Sequence, residues 1–433
     1  RGLGDVYKRQ IDDTASIEAS ELNTLNGNTT GNIVATTATS FTGTISDLNT
    51  LYAAAASSGN GISGLGSEAV TVTDSSVSAS DLNTLNGNTS YNITVNATAI
   101  SGSLSAVSTL YGNKAADSQA ATNGFTGLGG EAITLSDTGS IAANTLLTVA
   151  QANSSGTVDA SNAGTITGTA QQITDAYADS TITEAGNVAL TVNSGTASLA
   201  QARSLDGLTT GVVTATIADT VVSDLLGSAP LLDANSNNAF TITIGTDDAS
   251  VSAANLNSLD ALTTVAINAG NVTTITSSTL DSINTLYASS GFSGLGDQAI
   301  TASDTGSIAA STITTVATAN SSGTLSVSAA ATITGTAAEI IAAFADSTVT
   351  EASNVALTVN SGTATLAQAR SLDGLTTGVV TATIADTVVS DLLGSAPLLD
   401  ANSNNAFTIT IGTGDAEITA ANSTSLNLSL IHI

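Results

Sequence analysis

The chain has 433 residues and carries 35 Asp and Glu against six Lys and Arg, a net charge of −29, with no Cys, Met or Trp. That balance argues against nucleic acid, whose binding rests on Lys and Arg neutralising phosphates, and the apolar runs fall far short of the ~18 residues that read as a membrane span. At 42% hydrophobic and 9% charged, the chain still holds enough Val, Ile and Leu to fold rather than stay disordered.

Residues 1–10 (RGLGDVYKRQ) and 428–433 (LSLIHI) match nothing else in the chain. They resemble in-frame translations of sequencing-adapter DNA, so both are set aside as scars and the natural fold is expected in 11–427. His432, the only histidine, goes with them. Lys114, Arg203 and Arg370 are then the three bases left against 34 acids.

From the N-terminal side, ASELNTLNGNTTGNIVA (19–35) returns as ASDLNTLNGNTSYNITV (79–95) and, degraded, as AANLNSLDALTTVAINA (253–269). Apolar landmarks such as Leu22, Leu48, Leu82, Val107, Leu146, Ile173 and Leu199 follow a spacing of about 26 residues, within the range of solenoid repeats. The spacing widens where Gly-Leu-Gly occurs at 64–66 and 127–129. Runs such as ITVNATAI (93–100), VVTATIA (212–218) and AFTITIG (239–245) alternate β-branched residues with period two and are predicted strands. AAEIIAAFAD (337–346) is the clearest predicted helix. Thr336 with Glu339 and Thr169 with Gln172 have the capping-box spacing, and Thr44 with Asp47 is a looser version. Asn26-Gly27 and Asn86-Gly87 are placed where a helix would end on a left-handed residue. The Leu-Tyr pairs at 51–52, 110–111 and 286–287 are expected to pack helix ends in the core.

At longer range, 187–246 recurs at 354–413 with one change, Ser198 against Thr365. The long repeat is set at 127–293, with a partial second copy at 294–427, inside one continuous array. A strand plus a short helix every ~26 residues cannot bury its apolar face alone, and stacking its neighbours would. The fold expected is therefore a β-rich repeat protein: an elongated, right-handed parallel solenoid of strand-plus-short-helix units. Tandem β-sandwich domains are the alternative, disfavoured because they lack helical capping boxes.

Candidate chemistry is sparse. General acid–base and nucleophilic catalysis draw most often on His or Cys, which 11–427 lacks, so no enzyme is expected; a carboxylate-based polysaccharide hydrolase is the least favoured reading. Oxygen-ligand Ca²⁺ sites need only acids and carbonyls. The densest acid clusters, Asp12 with Asp13, Asp247 with Asp248, and Asp415 with Glu417, are the candidate metal ligands, read against solvated loop acids as the simpler account. No cofactor is required, with Ca²⁺ the one candidate. Thr-x-Thr pairs, Thr165/Thr167 and Thr214/Thr216 among them, invite comparison with ice-ordering ladders. Their irregular spacing argues against a single file, and the β-propensity of Thr explains them. With so many acids, each carboxylate is expected to be raised by its neighbours.

The units DLNTLNGNTS, TITGTAAEI, INTLYASSGFSGLG and SLDGLTTGVVTATIADT resemble those of very large surface proteins of marine cyanobacteria and other aquatic bacteria. The resemblance covers 11–427 and carries over no individual functional residue. It implies an exported protein, often leaving by type I secretion, that acts in surface layers, adhesion or motility. The expected role is a structural or adhesive spacer at the bacterial surface. Cell-surface glycan and self-association are its candidate partners, with nucleic acid and membrane insertion excluded. A ligand-binding array for Ca²⁺, glycan or ice is the rival.

Overall fold

A computed structural model describes residues 9–10, 16–55, 61–114, 124–227, 238–393 and 405–412. The chain divides into two compact units, Arg1–Thr216 and Ile217–Ile433. Both are α/β, built from repeated strand–helix units whose strands pair in parallel.

In the first unit the helices are α1 (Ala19–Gly27), α2 (Ile45–Ala55), α3 (Ala79–Asn86), α4 (Leu104–Gly112), α5 (Ala143–Ala152), α6 (Ala170–Ala178) and α7 (Leu199–Asp206). In the second they are α8 (Val222–Leu225), α9 (Ala253–Asp260), α10 (Leu280–Ala288), α11 (Ala310–Ala319), α12 (Ala337–Ala345), α13 (Leu366–Leu375) and α14 (Val389–Leu392). Successive helices pack side by side from α1 to α7 in the first unit and from α8 to α13 in the second. Among the described residues the helices hold more of the chain than the strands do, so the fold is α/β where the sequence suggested a β-rich protein. The antiparallel pairing that β-sandwiches require is found in none of the described ladders.

The repeating element differs from the evenly spaced coil expected. Helices come in pairs, and the first helix of each pair begins at Ala19, Ala79, Ala143, Leu199, Ala253, Ala310 and Leu366. Between pairs the chain inserts one extra strand. Strand Ala69–Val72 pairs on one side with Ser40–Gly43, which precedes α2, and on the other with Ile93–Val95, which follows α3. Ala132–Leu135 and Ala189–Val192 do the same at the next two boundaries, as do Ala299–Ala302 and Ala356–Val359 in the second unit. A five-stranded sheet therefore begins with strands that precede helices and ends with strands that follow them.

The core lies between helices and strands. Leu22, Leu48, Leu82, Val107, Leu146 and Ile173 are at most 2% exposed and project from successive helices onto inward strand residues such as Phe41, Val70, Ile100 and Ile133. Burying each such side chain contributes roughly 1.5–3 kcal/mol, and only a stacked neighbour supplies the second wall. Polar groups tie the stack as well. Asn23, Asn49, Asn83 and Asn257 each donate their side-chain amide to a main-chain carbonyl at the start of the following helix, namely Asp47 O (2.9 Å), Asp81 O (3.2 Å), Ala106 O (2.9 Å) and Ser282 O (3.0 Å).

The expected capping boxes are formed at Thr169/Gln172 and Thr336/Glu339, and two more occur at Ser198/Gln201 and Thr365/Gln368. Thr44 also bonds Asp47, through the side chain at 2.7 Å and the backbone at 3.1 Å. The Asn-Gly helix ends differ from expectation. Gly87 sits in right-handed backbone at φ −69°, because the chain turns directly into Thr89, whose hydroxyl takes up the Tyr91 N–H. Left-handed glycines occur instead in the Gly-Leu-Gly segments.

Candidate functional site

The densest polar constellation recurs at three pair boundaries. Helices α2, α4 and α10 each carry Leu-Tyr in their last turns, which brings the Tyr52, Tyr111 and Tyr287 hydroxyls to the foot of the next extra strand. The chain then makes a Gly-Leu-Gly turn with both glycines at positive φ, 84° and 131° for Gly127 and Gly129. A side chain at Gly127 would also run into the Val95 carbonyl oxygen, so this turn requires glycine twice over. Two residues after the turn stands Glu68, Glu131 or Gln298, no more than 2% exposed.

At the central site the Glu131 carboxylate accepts from Tyr111 OH (2.5 Å), Gly129 N (2.9 Å) and Gly130 N (3.1 Å). Asn153 completes it. Its Oδ1 accepts from Glu131 N (3.2 Å) and Tyr111 OH (2.9 Å), and its Nδ2 donates to Glu131 O (2.8 Å). At the second-unit site Gln298 Oε1 accepts from Gly296 N (2.6 Å), Asp297 N (3.2 Å) and Tyr287 OH (2.9 Å), with Asn320 in the place of Asn153. Glu68 repeats the pattern with Gly66 N (2.7 Å), Ser67 N (3.0 Å) and Tyr52 OH (3.2 Å), and Thr89 replaces the asparagine.

Burial, reinforced by the neighbouring carboxylate, pushes the Tyr52 and Tyr111 phenols up; for Tyr287 the second cause is Asp297. All three stay protonated and donate. A neutral amide fills the acid's position in one copy with the same acceptor bonds, so the site works without a negative charge or a proton transfer. Its chemistry is to satisfy the backbone donors of the turn from a buried side chain and so lock the turn. The sequence signal is the acid or amide at a fixed distance after Gly-Leu-Gly (GLGSE, GLGGE, GLGDQ), a segment that the sequence marks only as the place where the apolar spacing widens.

Of the candidate metal ligands, Asp248 accepts the Val222 N–H at 2.7 Å and so closes the start of α8, while Asp247 stands exposed in the turn Thr246–Asp248. Asp12, Asp13, Asp415 and Glu417 lie outside the described residues, as does His432. Asp248 has company. Asp74 takes Ile45 N, Asp137 takes Leu104 N and Asp304 takes Leu280 N, each at 2.7 Å, and Ser278 Oγ takes Ala253 N at the same distance. Each acid reaches back from the following coil to the first helical N–H, where the helix dipole favours negative charge. Among the described residues no group of three or more His, Cys, Asp or Glu is placed to hold a metal ion, and no helix is long and apolar enough to cross a membrane.

The acids do not follow one trend. Asp159 and Asp346 are held below the usual carboxylate range by hydrogen bonds from Ser161 and Thr348, and Glu339 by its Thr336 box partner. Glu184 is pushed up to about 7 and Glu351 is raised, in both cases first by burial and only then by a neighbouring Asp. The expectation that mutual repulsion would raise every carboxylate therefore gives way to local effects at these five.

The threonines form short files after all. Thr42, Thr71, Thr94 and Thr126 stand in register on adjacent strands, as do Thr167, Thr191 and Thr214, and Thr334, Thr358 and Thr381. The extra strand hid them from sequence spacing, because it carries one file from strands before the helices to strands after them. Several hydroxyls turn back onto the sheet, Thr167 onto Ile141 O and Thr334 onto Ile308 O, both at 3.2 Å. No protein-family model matches the chain, and no curated protein or solved structure matches it either.

Proposed function

We propose that this chain is a non-catalytic scaffold, a spacer or adhesive stalk within a large exported protein of the bacterial surface, built as a parallel solenoid of two-helix units. One observation carries the reading: the polar side chains that recur from unit to unit are engaged with the neighbouring coil. The Tyr–Glu–Asn clusters, the reaching Asp caps and the interhelical Asn bonds all hold coil to coil. A binding array or an enzyme would keep its recurring polar groups free for a ligand. Placement at the bacterial surface rests on the repeat style and on the acidic, cysteine-free composition.

The test is dimensional. Small-angle scattering on the chain and on a version lengthened by one further copy of 127–293 should show the longest dimension growing in proportion to the added repeats. Growth of the radius of gyration as the ~0.38 power of length, the scaling of compact globules, would reject the spacer. The threonine files favour a second reading, a surface that binds glycan or ice. Retention on insoluble polysaccharide or ice, lost when Thr71 and Thr94 are changed to Lys, would support it over a passive stalk.

A further inference from the structure

The Tyr–acid pairing recurs in altered form at the boundary after α6. Tyr177 occupies the last turn of α6, and Glu184 follows the strand Ile182–Thr183. Here no Gly-Leu-Gly turn supplies backbone donors. Glu184 Oε1 is sealed from solvent without a hydrogen-bond partner, and so is the Tyr177 hydroxyl, although the Glu184 charge is felt at that ring. The donor that remains to the carboxylate is its own backbone N–H. In the second copy Phe344 replaces the tyrosine while Glu351 keeps its place, with Oε1 again sealed and unpartnered. The phenol is dispensable between copies and the acid is retained.

The charged groups on the elements around Glu184 are Asp175 on α6, Asp179 on the turn after it, Asp159 on the strand paired with Ile182–Thr183, and Arg203 and Asp206 on α7. Asp179 is the one that acts on Glu184, with its Oδ1 already taken by Thr181 N (2.9 Å) and Thr181 Oγ1 (2.7 Å). Around Glu351 the counterparts are Glu339 on α12, Asp346 on the turn, Ser326 in the place of Asp159, and Arg370 and Asp373 on α13. Asp346 is the one that acts.

We propose that Glu184 and Glu351 are proton-operated latches, which close the turns 179–186 and 346–353 when protonated and loosen them when ionised. A protonated carboxyl buries its sealed oxygen without a charge and presents none to Asp179 or Asp346. An ionised one leaves an uncompensated oxygen half-buried beside a second carboxylate. The direction of titration agrees. A carboxyl raised to about 7 from an ordinary 4.5 contributes stability that is fully present below pH 4.5 and lost as pH rises through 7. The latches hold matching positions in the two copies of the long repeat, one in each compact unit.

Hydrogen exchange of the full chain at pH 5 and pH 8, corrected for intrinsic rates, tests this. Segments 179–186 (DSTITEAG) and 346–353 (DSTVTEAS) differ in sequence and are read separately. Protection of both should fall at the higher pH, by roughly tenfold or more at 179–186, one pKa unit being a factor of ten. Glu184→Gln should abolish the change at 179–186 and leave it at 346–353, whereas Tyr177→Phe should leave it at both. Equal protection at both pH values, or a pH response that survives Glu184→Gln, overturns the proposal. Should Glu184→Gln fail to fold, carboxyl ¹³C titration of the unsubstituted chain decides. A Glu midpoint near 7 upholds the latch at Glu184 and a second one raised from the ordinary Glu position upholds that at Glu351, and all midpoints in the ordinary carboxylate range reject them.

Discussion

Glu131 and Gln298 do one job with different chemistry, and that sets what substitution should do. Gln298 satisfies its extra N–H₂ on the Val272 and Gly294 carbonyls at 3.1 and 3.3 Å, and Gly127 offers Glu131 the carbonyl matching Gly294. Glu131→Gln should therefore change stability by less than about 1 kcal/mol, the scale of a single net hydrogen bond. Glu131→Ala removes the acceptor of two part-buried backbone N–H groups and leaves the Tyr111 phenol to Asn153 alone. It should cost more than Glu131→Gln, about 1–3 kcal/mol, the range for a donor deprived of its acceptor. The shift of the urea midpoint measures both, and equal losses would mean that the site depends on charge after all. At this scale the sequence was only partly legible. That Leu-Tyr packs helix ends could be read from the local pattern. That the tyrosine meets an acid 20 residues on and an asparagine 42 residues on could not, because those partners converge only once three coils are stacked.

Helices here are short, eight to eleven residues apart from α8 and α14, and helices of that length are marginal without help at their ends. Each element borrows from the next. In α10 the Ser282 N–H is capped by Thr279 of the same segment at 3.3 Å, while the Leu280 N–H waits for Asp304 from the following coil. The first kind of cap follows a local pattern, and capping boxes were accordingly readable at Thr169 and Thr336. The second kind obeys no fixed sequence interval, since Asp74 and Asp304 lie 29 and 24 residues beyond the groups they cap. An acid that could pass for a loop calcium ligand is a helix cap for this reason. Asp304→Ala should destabilise by about 0.5–2 kcal/mol, the range for lost N-caps. Asp304→Asn keeps an acceptor and loses only the charge–dipole part, about 0.3–1 kcal/mol at low salt. Thermal unfolding of the two variants in low and high salt separates these contributions, with the Asn deficit shrinking as salt rises. Indifference to both substitutions would show that the bond from Leu280 N to Asp304 contributes nothing.

For the whole molecule, repetition was legible and its true unit was not. The long duplication spans three helix pairs, those opening at Ala143, Leu199 and Ala253, before Ala310 begins the series again. The wider gaps that interrupt the regular spacing of apolar landmarks mark extra strands. Neighbouring helices need ~8–10 Å and neighbouring strands only ~4.7–4.9 Å. A pair of helices thus spans about 18 Å against about 10 Å for two strands, and a third strand brings the second figure to about 14 Å. The insertion reduces a mismatch that every strand-plus-helix stack must meet.

Salt and calcium probe the same acids collectively. A chain at −29 repels itself over the Debye length, about 30 Å at 10 mM salt and about 10 Å at 100 mM. NaCl should therefore raise the melting temperature monotonically. The rise is limited, because the Asp caps lose some of their dipole attraction under the same screening. Calcium would add more than its ionic strength only by binding the folded state selectively. Asp248 already holds Val222 N at 2.7 Å, and Asp74, Asp137 and Asp304 are engaged in the same way, so coordination would compete with helix caps. The expected outcome is equal melting temperatures in NaCl and in CaCl₂ matched for ionic strength, both above the low-salt value, by circular dichroism on the full chain. A chain that stays unfolded in NaCl and folds sharply on adding millimolar CaCl₂ would replace the self-sufficient scaffold with a calcium-ordered adhesin, and would place the ligands among acids other than these caps.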